Sequence, residues 1–182
     1  MRLGQAQAPA EPAGSERPGP SLKARALRLL ARREHSRQEL ERKLQVHAAD
    51  EADLAAALDQ LQAKGFIDEQ RVADSVVHRR APGLGTARVK AELRAKGLDD
   101  ELVAQTVVSL QATEAERATG VWQKKFGAAP ADATARARQM RFLAARGFSP
   151  EVVRRVVPRV DSRAGRSCGD ADDLGSDACD ED

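Results

Sequence analysis

The apolar residues of this chain follow the three- and four-residue spacing of amphipathic helices from residue 21 to residue 160. Leu54, Leu58 and Leu61 show the spacing in one segment, and Val103, Val107 and Leu110 show it in another. No segment alternates apolar and polar residues between hairpin turns, which is the pattern of a half-buried strand. The pattern therefore predicts an all-α protein.

A six-residue phrase occurs three times and predicts where helices end. It covers residues 61–66 (LQAKGF), 93–98 (LRAKGL) and 143–148 (LAARGF), and an Asp or Ser follows within three residues. A glycine after an apolar helical face supplies the left-handed turn that ends a helix, and Asp or Ser caps the next one. Each copy is therefore predicted to be a helix end followed by a helix start.

A longer repeat of 49 to 50 residues lies beneath this phrase. A shift of 49 places Leu40 on Val89 and Leu44 on Leu93, and a shift of 50 places Leu93 on Leu143. Repeats of this length are typical of supersecondary units that bury their apolar faces against neighbours. We expect three three-helix modules, residues 21–67, 68–112 and 113–160, in an elongated, curved helical-repeat array. Chance similarity among Ala-rich amphipathic helices is the alternative.

Capping residues predict the remaining helix starts. Ser21 precedes the first helix, and Ser36 with Glu39 forms a capping-box pattern. Asp50 and Thr113 are predicted caps, and residues 149–151 place Ser, Pro and Glu in the order that suits a helix start. Residues 82–85 (PGLG) are predicted to be a loop before a helix that begins at Thr86.

The two ends of the chain differ in composition from the repeats. Residues 1–20 are rich in Pro, Gly and Ala and are expected to be a disordered leader, and residues 161–182 are expected to be an acidic disordered tail. Cys168 and Cys179 lie in this tail without a nearby His, so we interpret them as incidental thiols. No apolar run is long enough for a signal peptide or membrane helix, which predicts a cytoplasmic protein that does not bind membranes.

Charge divides the chain in the same way. The net charge is +2, but residues 21–160 hold 26 Lys and Arg against 18 Asp and Glu, whereas residues 161–182 hold eight acids and two arginines. A basic repeat region favours a polyanionic or acidic partner, although a solvated helical surface would look the same. Aromatic residues make up 3% of the chain, which argues against stacking of single-stranded bases.

Basic residues cluster at the ends of the predicted first helices of the modules and along the third module. If the modules stack regularly, these cations would follow one face and would suit a filament or a nucleic-acid backbone. The candidate contact residues are Arg32, Arg33, Arg79, Arg80, Arg88, Lys124, Lys125, Arg136, Arg138, Arg141, Arg154 and Arg155.

No catalytic or metal-binding pattern is present. His35, His47 and His78 are too far apart to place two ligands on one helical face, and paired acids such as Asp68 and Glu69 are explained by the positive end of a helix dipole. The glycines of residues 82–85 match neither a Walker nor a dinucleotide-binding pattern. We expect no enzyme activity, no cofactor and no metal.

Several segments resemble the RecX family. Residues 26–40 (ALRLLARREHSRQEL) are similar to its opening signature, and later signatures are matched by residues 65–69 (GFIDE), by Gly85 with Arg88, by residues 92–97, by Trp122 with residues 124–126, and by residues 142–148. The resemblance covers residues 21 to about 158. Val72 stands where this family commonly has an aromatic residue, and the acidic tail is outside the family pattern.

The resemblance implies a regulator of the RecA recombinase, built from tandem three-helix modules, that lies along the groove of the RecA–DNA filament. Members of the family typically restrain RecA, whereas some members instead favour RecA function. The implied effects are lower ATP hydrolysis, strand exchange and repressor cleavage, and hence a role in DNA repair, recombination and the SOS response. We expect this chain to act as a monomer.

Two other functions fit the residues. Residues 36–44 followed by the helix after Asp50 could form a helix-turn-helix that reads DNA without RecA as a partner. A passive helical scaffold would bind neither DNA nor RecA.

Overall fold

The computed structural model describes residues 19–160, and this part of the chain contains nine α-helices and no strand. The prediction of an all-α fold is confirmed. The predicted leader and acidic tail, with Cys168 and Cys179, lie outside the described residues apart from residues 19 and 20. The helices are α1 (Leu22–Leu30), α2 (Arg37–Leu44), α3 (Glu51–Ala63), α4 (Glu69–Arg80), α5 (Thr86–Ala95), α6 (Asp100–Ala112), α7 (Glu114–Lys125), α8 (Ala133–Ala145) and α9 (Pro150–Val156).

The glycine of each repeated phrase ends a helix as predicted. Gly65, Gly97 and Gly147 have φ angles of 72°, 71° and 84°, in the left-handed region that side chains with a Cβ rarely adopt. They follow α3, α5 and α8, and so the helix-end signal in the sequence is confirmed at all three copies.

Most of the predicted caps are also confirmed. Ser36 and Glu39 form both hydrogen bonds of a capping box at the start of α2, and Asp50 accepts a hydrogen bond from the Ala52 N–H. At α9, Ser149 accepts from the Val152 N–H and Pro150 is the first helical residue. These caps depend only on residues within one turn of each other, and such local patterns are readable in a sequence.

Thr113 occupies the predicted cap position before α7, but its side chain does not cap the helix. The Thr113 hydroxyl donates to the Leu110 carbonyl at 3.4 Å, accepts from the Arg117 side chain at 3.3 Å, and makes no hydrogen bond to a main-chain N–H of α7. The start of α8 instead carries a strong cap, because Asp132 accepts from the Ala135 N–H at 2.6 Å. Only one residue separates α6 from α7, and the Thr113 hydroxyl bonds to the last turn of α6 and to the Arg117 side chain instead of to the main chain of α7.

The helices belong to two compact units. One unit comprises the described residues up to Ser75 together with Arg94–Asp100, and the other comprises Val76–Leu93 together with the described residues from Glu101 onward. In the first unit α1, α2 and α3 pack around a leucine-rich core, and in the second α7, α8 and α9 pack around Leu143, Phe148 and three valines. The core of the first unit consists of Ala26, Leu40, Leu44, Leu54, Leu58, Leu61 and Ile67.

In the first unit, the start of α2 contacts the turn that follows α5. The Ser36 hydroxyl donates to the Lys96 carbonyl at 2.5 Å, and both residues are buried. A Cβ added to Gly97 would lie 2.3 Å from the Gln38 side-chain oxygen. The glycine of this repeated phrase is therefore needed for close approach as well as for its positive φ.

In the second unit, the start of α5 contacts the turn that follows α8 in the same way. The Gly85 N–H donates to the Arg146 carbonyl at 2.9 Å, and the Ala87 N–H donates to the Gly147 carbonyl at 3.2 Å. The repeat of 49 to 50 residues relates Ser36 to Gly85 and Lys96 to Arg146. Both units therefore contain the same type of contact, made by a hydroxyl in one and by the main chain in the other.

None of the helices in the described part of the chain is long and apolar enough to cross a membrane. Val72 is fully buried at 1% exposure.

Candidate functional site

The two candidate cations after α1 have different surroundings. Arg33 forms an ion pair with Glu39 at 3.2 Å and also donates to the Glu34 carbonyl. Its charge is therefore largely neutralised within the first unit. Arg32 is exposed and has no side-chain hydrogen bond with another described residue. Of this pair, Arg32 is the cation that remains available to a partner.

The candidate cations at the end of α4 are both exposed. Arg80 forms an ion pair with Glu92 of α5 at 2.9 Å, and Arg79 precedes it in the last turn of the helix. An exposed pair of this kind contributes about 0 to 1 kcal/mol to stability and can be exchanged for another partner. Arg80 is therefore partly neutralised but accessible.

Arg88 has a structural role in the second unit. Its guanidinium donates to the Ala145 carbonyl at 3.2 Å. A Cβ added to Gly147 would lie 2.5 Å from the Arg88 Cγ, so the Arg88 side chain packs directly on this glycine. The helix end of α8 is thus covered by Arg88, although the side chain remains exposed at its edge. Arg136 is similar, since it is half-buried and donates to the Pro158 carbonyl at 3.0 Å.

The other candidate cations of the third module are exposed and make no hydrogen bond or ion pair within the described residues. α8 contains three arginines and no acid, and α9 contributes two arginines against one glutamate. These helices pack on each other and on α7 in one unit. The surface of this unit therefore carries uncompensated positive charge, from Lys124, Lys125, Arg138, Arg141, Arg154 and Arg155.

The third helices of the first two modules carry the opposite charge. α3 contains Glu51, Asp53 and Asp59 and no Lys or Arg, and α6 contains Asp100 and Glu101 and no Lys or Arg. A helix that enters a DNA groove lies among phosphates, so these acids would be repelled. The charge of α3 and α6 is therefore unfavourable for reading a duplex.

Sequence reasoning missed Arg117 on α7. Its guanidinium donates to the carbonyls of Leu84 at 2.6 Å, Leu110 at 2.8 Å and Ala81 at 3.0 Å. Burial lowers the pKa of Arg117, and the nearby Glu114 charge opposes that effect. These partners lie up to 36 residues away, and no local pattern in the sequence could reveal them. Arg117 thus connects α7 to the loop that leads into α5.

Glu114 assists Arg117 at the same loop. The buried Glu114 carboxylate accepts a hydrogen bond from the Thr86 N–H at 2.9 Å, and in this way it caps α5 from another helix. A carboxylate at a helix N-terminus is stabilised by the positive end of the dipole. Together, Glu114 and Arg117 hold both the start of α5 and the turn before it.

A second buried group in the first unit is the Lys96 and Glu39 pair. The Lys96 ammonium lies 2.8 Å from the Glu39 carboxylate, and the two side chains are 11% and 13% exposed. Burial would raise the pKa of Glu39, but the hydrogen bonds from Lys96, Arg33 and the Ser36 N–H outweigh it and lower that pKa to about 2. This pair stabilises the contact between α2 and the turn after α5, and Lys96 is not available to a ligand.

His35 is the buried histidine of the first unit. Its Nδ1 lies 2.9 Å from the Arg33 carbonyl, and its Nε2 has no partner among the described residues. Desolvation lowers the pKa of His35, which favours the neutral ring in the folded protein. Because the Arg33 carbonyl can only accept a hydrogen bond, Nδ1 carries the hydrogen and donates it. In the neutral ring the unpartnered Nε2 is then an acceptor.

Comparison with protein families gives three matches that together cover most of the chain. The models described as the first, second and third three-helix domains of RecX match residues 23–61, 68–107 and 112–157. The described helices therefore form three RecX three-helix domains in tandem.

Similar proteins carry the same family name. Regulatory protein RecX of Leptothrix cholodnii is 52% identical over 81% of this chain and 94% of its own length. Regulatory protein RecX of Ralstonia nicotianae is 49% identical over 78% of this chain and 89% of its own length. The crystal structure of RecX from Lactobacillus salivarius matches the fold with a TM-score of 0.66 at 20% identity, over 74% of this chain and 91% of that chain.

Proposed function

Since this chain belongs to the RecX family, we propose that it regulates the RecA recombinase by binding along the RecA–DNA filament. Its relatives are named regulatory proteins, not enzymes. The regulation is mainly inhibitory: the bound protein lowers ATP hydrolysis, strand exchange and RecA-stimulated repressor cleavage. It acts as a monomer in DNA repair and recombination.

The observation that carries this proposal is the uncompensated positive charge on α8, α9 and the end of α7. Six exposed cations without a described partner favour a strongly anionic target, and a nucleoprotein filament repeats its binding surface along its length. Several weak contacts on such a repeated surface add up to high affinity without any catalytic group. Arg138 and Arg141 are the strongest candidates, because α8 contains no acid that could neutralise them.

The helix-turn-helix alternative is weakened by the charge of α3. In that hypothesis α3 would be the recognition helix, yet it carries three acids and no Lys or Arg. A specific reader of duplex DNA needs cations or amides on the helix that enters the groove.

The proposal is tested by comparing two binding partners for the fluorescently labelled full-length protein. One is RecA assembled on single-stranded DNA with a non-hydrolysable ATP analogue, and the other is RecA without DNA or nucleotide. We expect at least tenfold tighter binding to the filament, because only the filament allows contacts with more than one subunit. Equal affinity for the two forms would reject filament binding.

A further inference from the structure

A basic groove lies between α1 and α2 in the first unit. Of the candidate cations described above, it contains Arg32. It has a volume of about 310 Å³, and its lining includes Arg25, Arg28, Arg32, Lys43 and His47 over the aliphatic side chains of Leu29 and Leu44. No acidic side chain lines it. The groove therefore combines a high density of positive charge with an apolar floor.

The acids nearest in sequence are engaged elsewhere. Glu34 pairs with Arg71 at 3.2 Å, Glu41 pairs with Arg37 at 3.0 Å, and Glu39 is held by Lys96 and Arg33. Within the described residues, the side chains of Arg28, Arg32 and Lys43 have no hydrogen bond or ion pair, whereas the Arg25 side chain donates to the Pro20 carbonyl. The positive charge of the groove is therefore not neutralised by the fold.

Helix dipoles account for only part of this arrangement. Arg28 lies in the last turn of α1 and Lys43 in the last turn of α2, where a cation is favourable. That effect falls off within one turn and is satisfied by one cation at each helix end. It does not explain why Arg25, Arg32 and His47 converge on the same groove.

Three arginines that are close together in sequence line the groove. Arg25 and Arg28 lie one helical turn apart on α1, and Arg32 lies in the turn that directly follows the helix. A DNA strand carries one charge per about 3.4 Å of axis, so closely grouped cations of this kind can contact neighbouring phosphates. The residues between the arginines are only Ala and Leu, so no carboxylate lies among them.

We propose that this groove binds the phosphodiester backbone of DNA directly, without RecA. The lining contains no Phe, Tyr or Trp on which a base could stack, so the contact is made to phosphates and is independent of base sequence. An acidic protein surface is the competing occupant. The dense positive charge, with no carboxylate in the lining, favours the closely spaced phosphates of a nucleic acid over the scattered carboxylates of a protein.

The test measures binding of the full-length protein to fluorescein-labelled single-stranded and duplex DNA by fluorescence anisotropy, with no RecA present. The groove variant is Arg28→Glu with Lys43→Glu. The matched control is Lys64→Glu with Arg94→Glu, which makes the same change in net charge at exposed positions of the same unit outside the groove. Circular dichroism melts of both variants report whether each folds.

We expect the groove variant to lose at least tenfold in DNA affinity at about 0.1 M salt, and the control to lose much less. The neutral variant Arg28→Gln with Lys43→Gln should lower the slope of log K against log salt by about two, because two phosphate contacts are removed. Equal losses in the groove and control variants would overturn the proposal, since net charge alone would then explain the binding.

A second outcome would also overturn it. If the folded groove variant keeps its DNA affinity but loses affinity for RecA, the groove belongs to a protein partner. Because DNA binding is measured without RecA, the result does not depend on whether the protein regulates the filament.

Discussion

The Lys96 ammonium contacts the Glu39 carboxylate at 2.8 Å across 57 residues of sequence, and both side chains are almost fully withdrawn from solvent. Glu39 also completes the capping box of α2 by accepting from the Ser36 N–H at 3.3 Å. One carboxylate therefore stabilises both a helix start and a contact with the turn after α5.

This pair makes stability depend on pH. Because the folded pKa of Glu39 is about 2, below its ordinary value of 4.5, its contribution is present above pH 4.5 and is lost as the pH falls toward 2. We expect this loss to be on the order of 2 to 3 kcal/mol. Urea unfolding of wild type and of Glu39→Gln at pH 6 and pH 3 measures this loss. The variant should have the lower unfolding free energy at pH 6, and the difference between the two proteins should be smaller at pH 3.

The control for this titration is Glu116→Gln, which changes an exposed carboxylate on α7. It should shift the unfolding free energy by less than about 0.5 kcal/mol at either pH. A constant gap between wild type and Glu39→Gln from pH 6 to pH 3 would contradict the lowered pKa.

Arg117→Met should destabilise the second unit by about 2 to 4 kcal/mol, because it leaves the carbonyls of Ala81, Leu84 and Leu110 without their charged donor. Arg117→Lys should recover only part of this, since one ammonium cannot reproduce the fork of the guanidinium. Chemical denaturation followed by circular dichroism gives the values. Arg138→Met, at an exposed site, should change the unfolding free energy by less than about 0.5 kcal/mol, and an equal effect of the two Met variants would contradict the role of Arg117.

Two glycines of the loop before α5 should respond in opposite ways to the same substitution. A Cβ at Gly85 would lie 2.1 Å from the main chain of Gly147 and Phe148, whereas a Cβ at Gly83 meets nothing within 4 Å. Gly85→Ala should therefore lower stability by at least about 2 kcal/mol, and Gly83→Ala should be neutral or slightly stabilising. Thermal melts of the two variants distinguish the outcomes, and similar melting temperatures would contradict the close contact.

Charge reversal on α8 should weaken filament binding without unfolding the protein. Arg138→Glu with Arg141→Glu changes two exposed side chains that make no hydrogen bond or ion pair within the described residues, and we expect at least a tenfold loss of affinity for RecA assembled on DNA. Lys64→Glu with Arg94→Glu is again the matched control. If both variants bind the filament equally well, α8 is not part of the contact.

Local features of the fold were readable from the sequence, and its long-range contacts were not. The capping box of Ser36 and Glu39 and the helix end at Gly97 each depend on neighbouring residues, so composition and spacing were sufficient. Thr113 stands at the predicted cap position, but its hydroxyl donates to α6, and the sequence does not show to which of two adjoining helices a hydroxyl will donate.

The same distinction applies to the candidate site. The sequence grouped Arg33 with Arg32 as a contact residue, but only the fold reveals that Arg33 is paired with Glu39 and that Arg32 lies in a groove with Lys43. Arg117 was not a candidate, because its carbonyl partners carry no signal in a sequence. Cation clusters can be counted from residues, whereas their neutralisation depends on tertiary contacts.

Regulation of RecA is tested by measuring DNA-dependent ATP hydrolysis by RecA of the same source. The full-length protein is titrated from well below one molecule per RecA subunit up to equimolar amounts. We predict strong loss of hydrolysis already at the low amounts, because a protein that contacts several subunits or the filament end affects more RecA than it binds. Unchanged hydrolysis up to equimolar protein would contradict regulation of RecA by this protein.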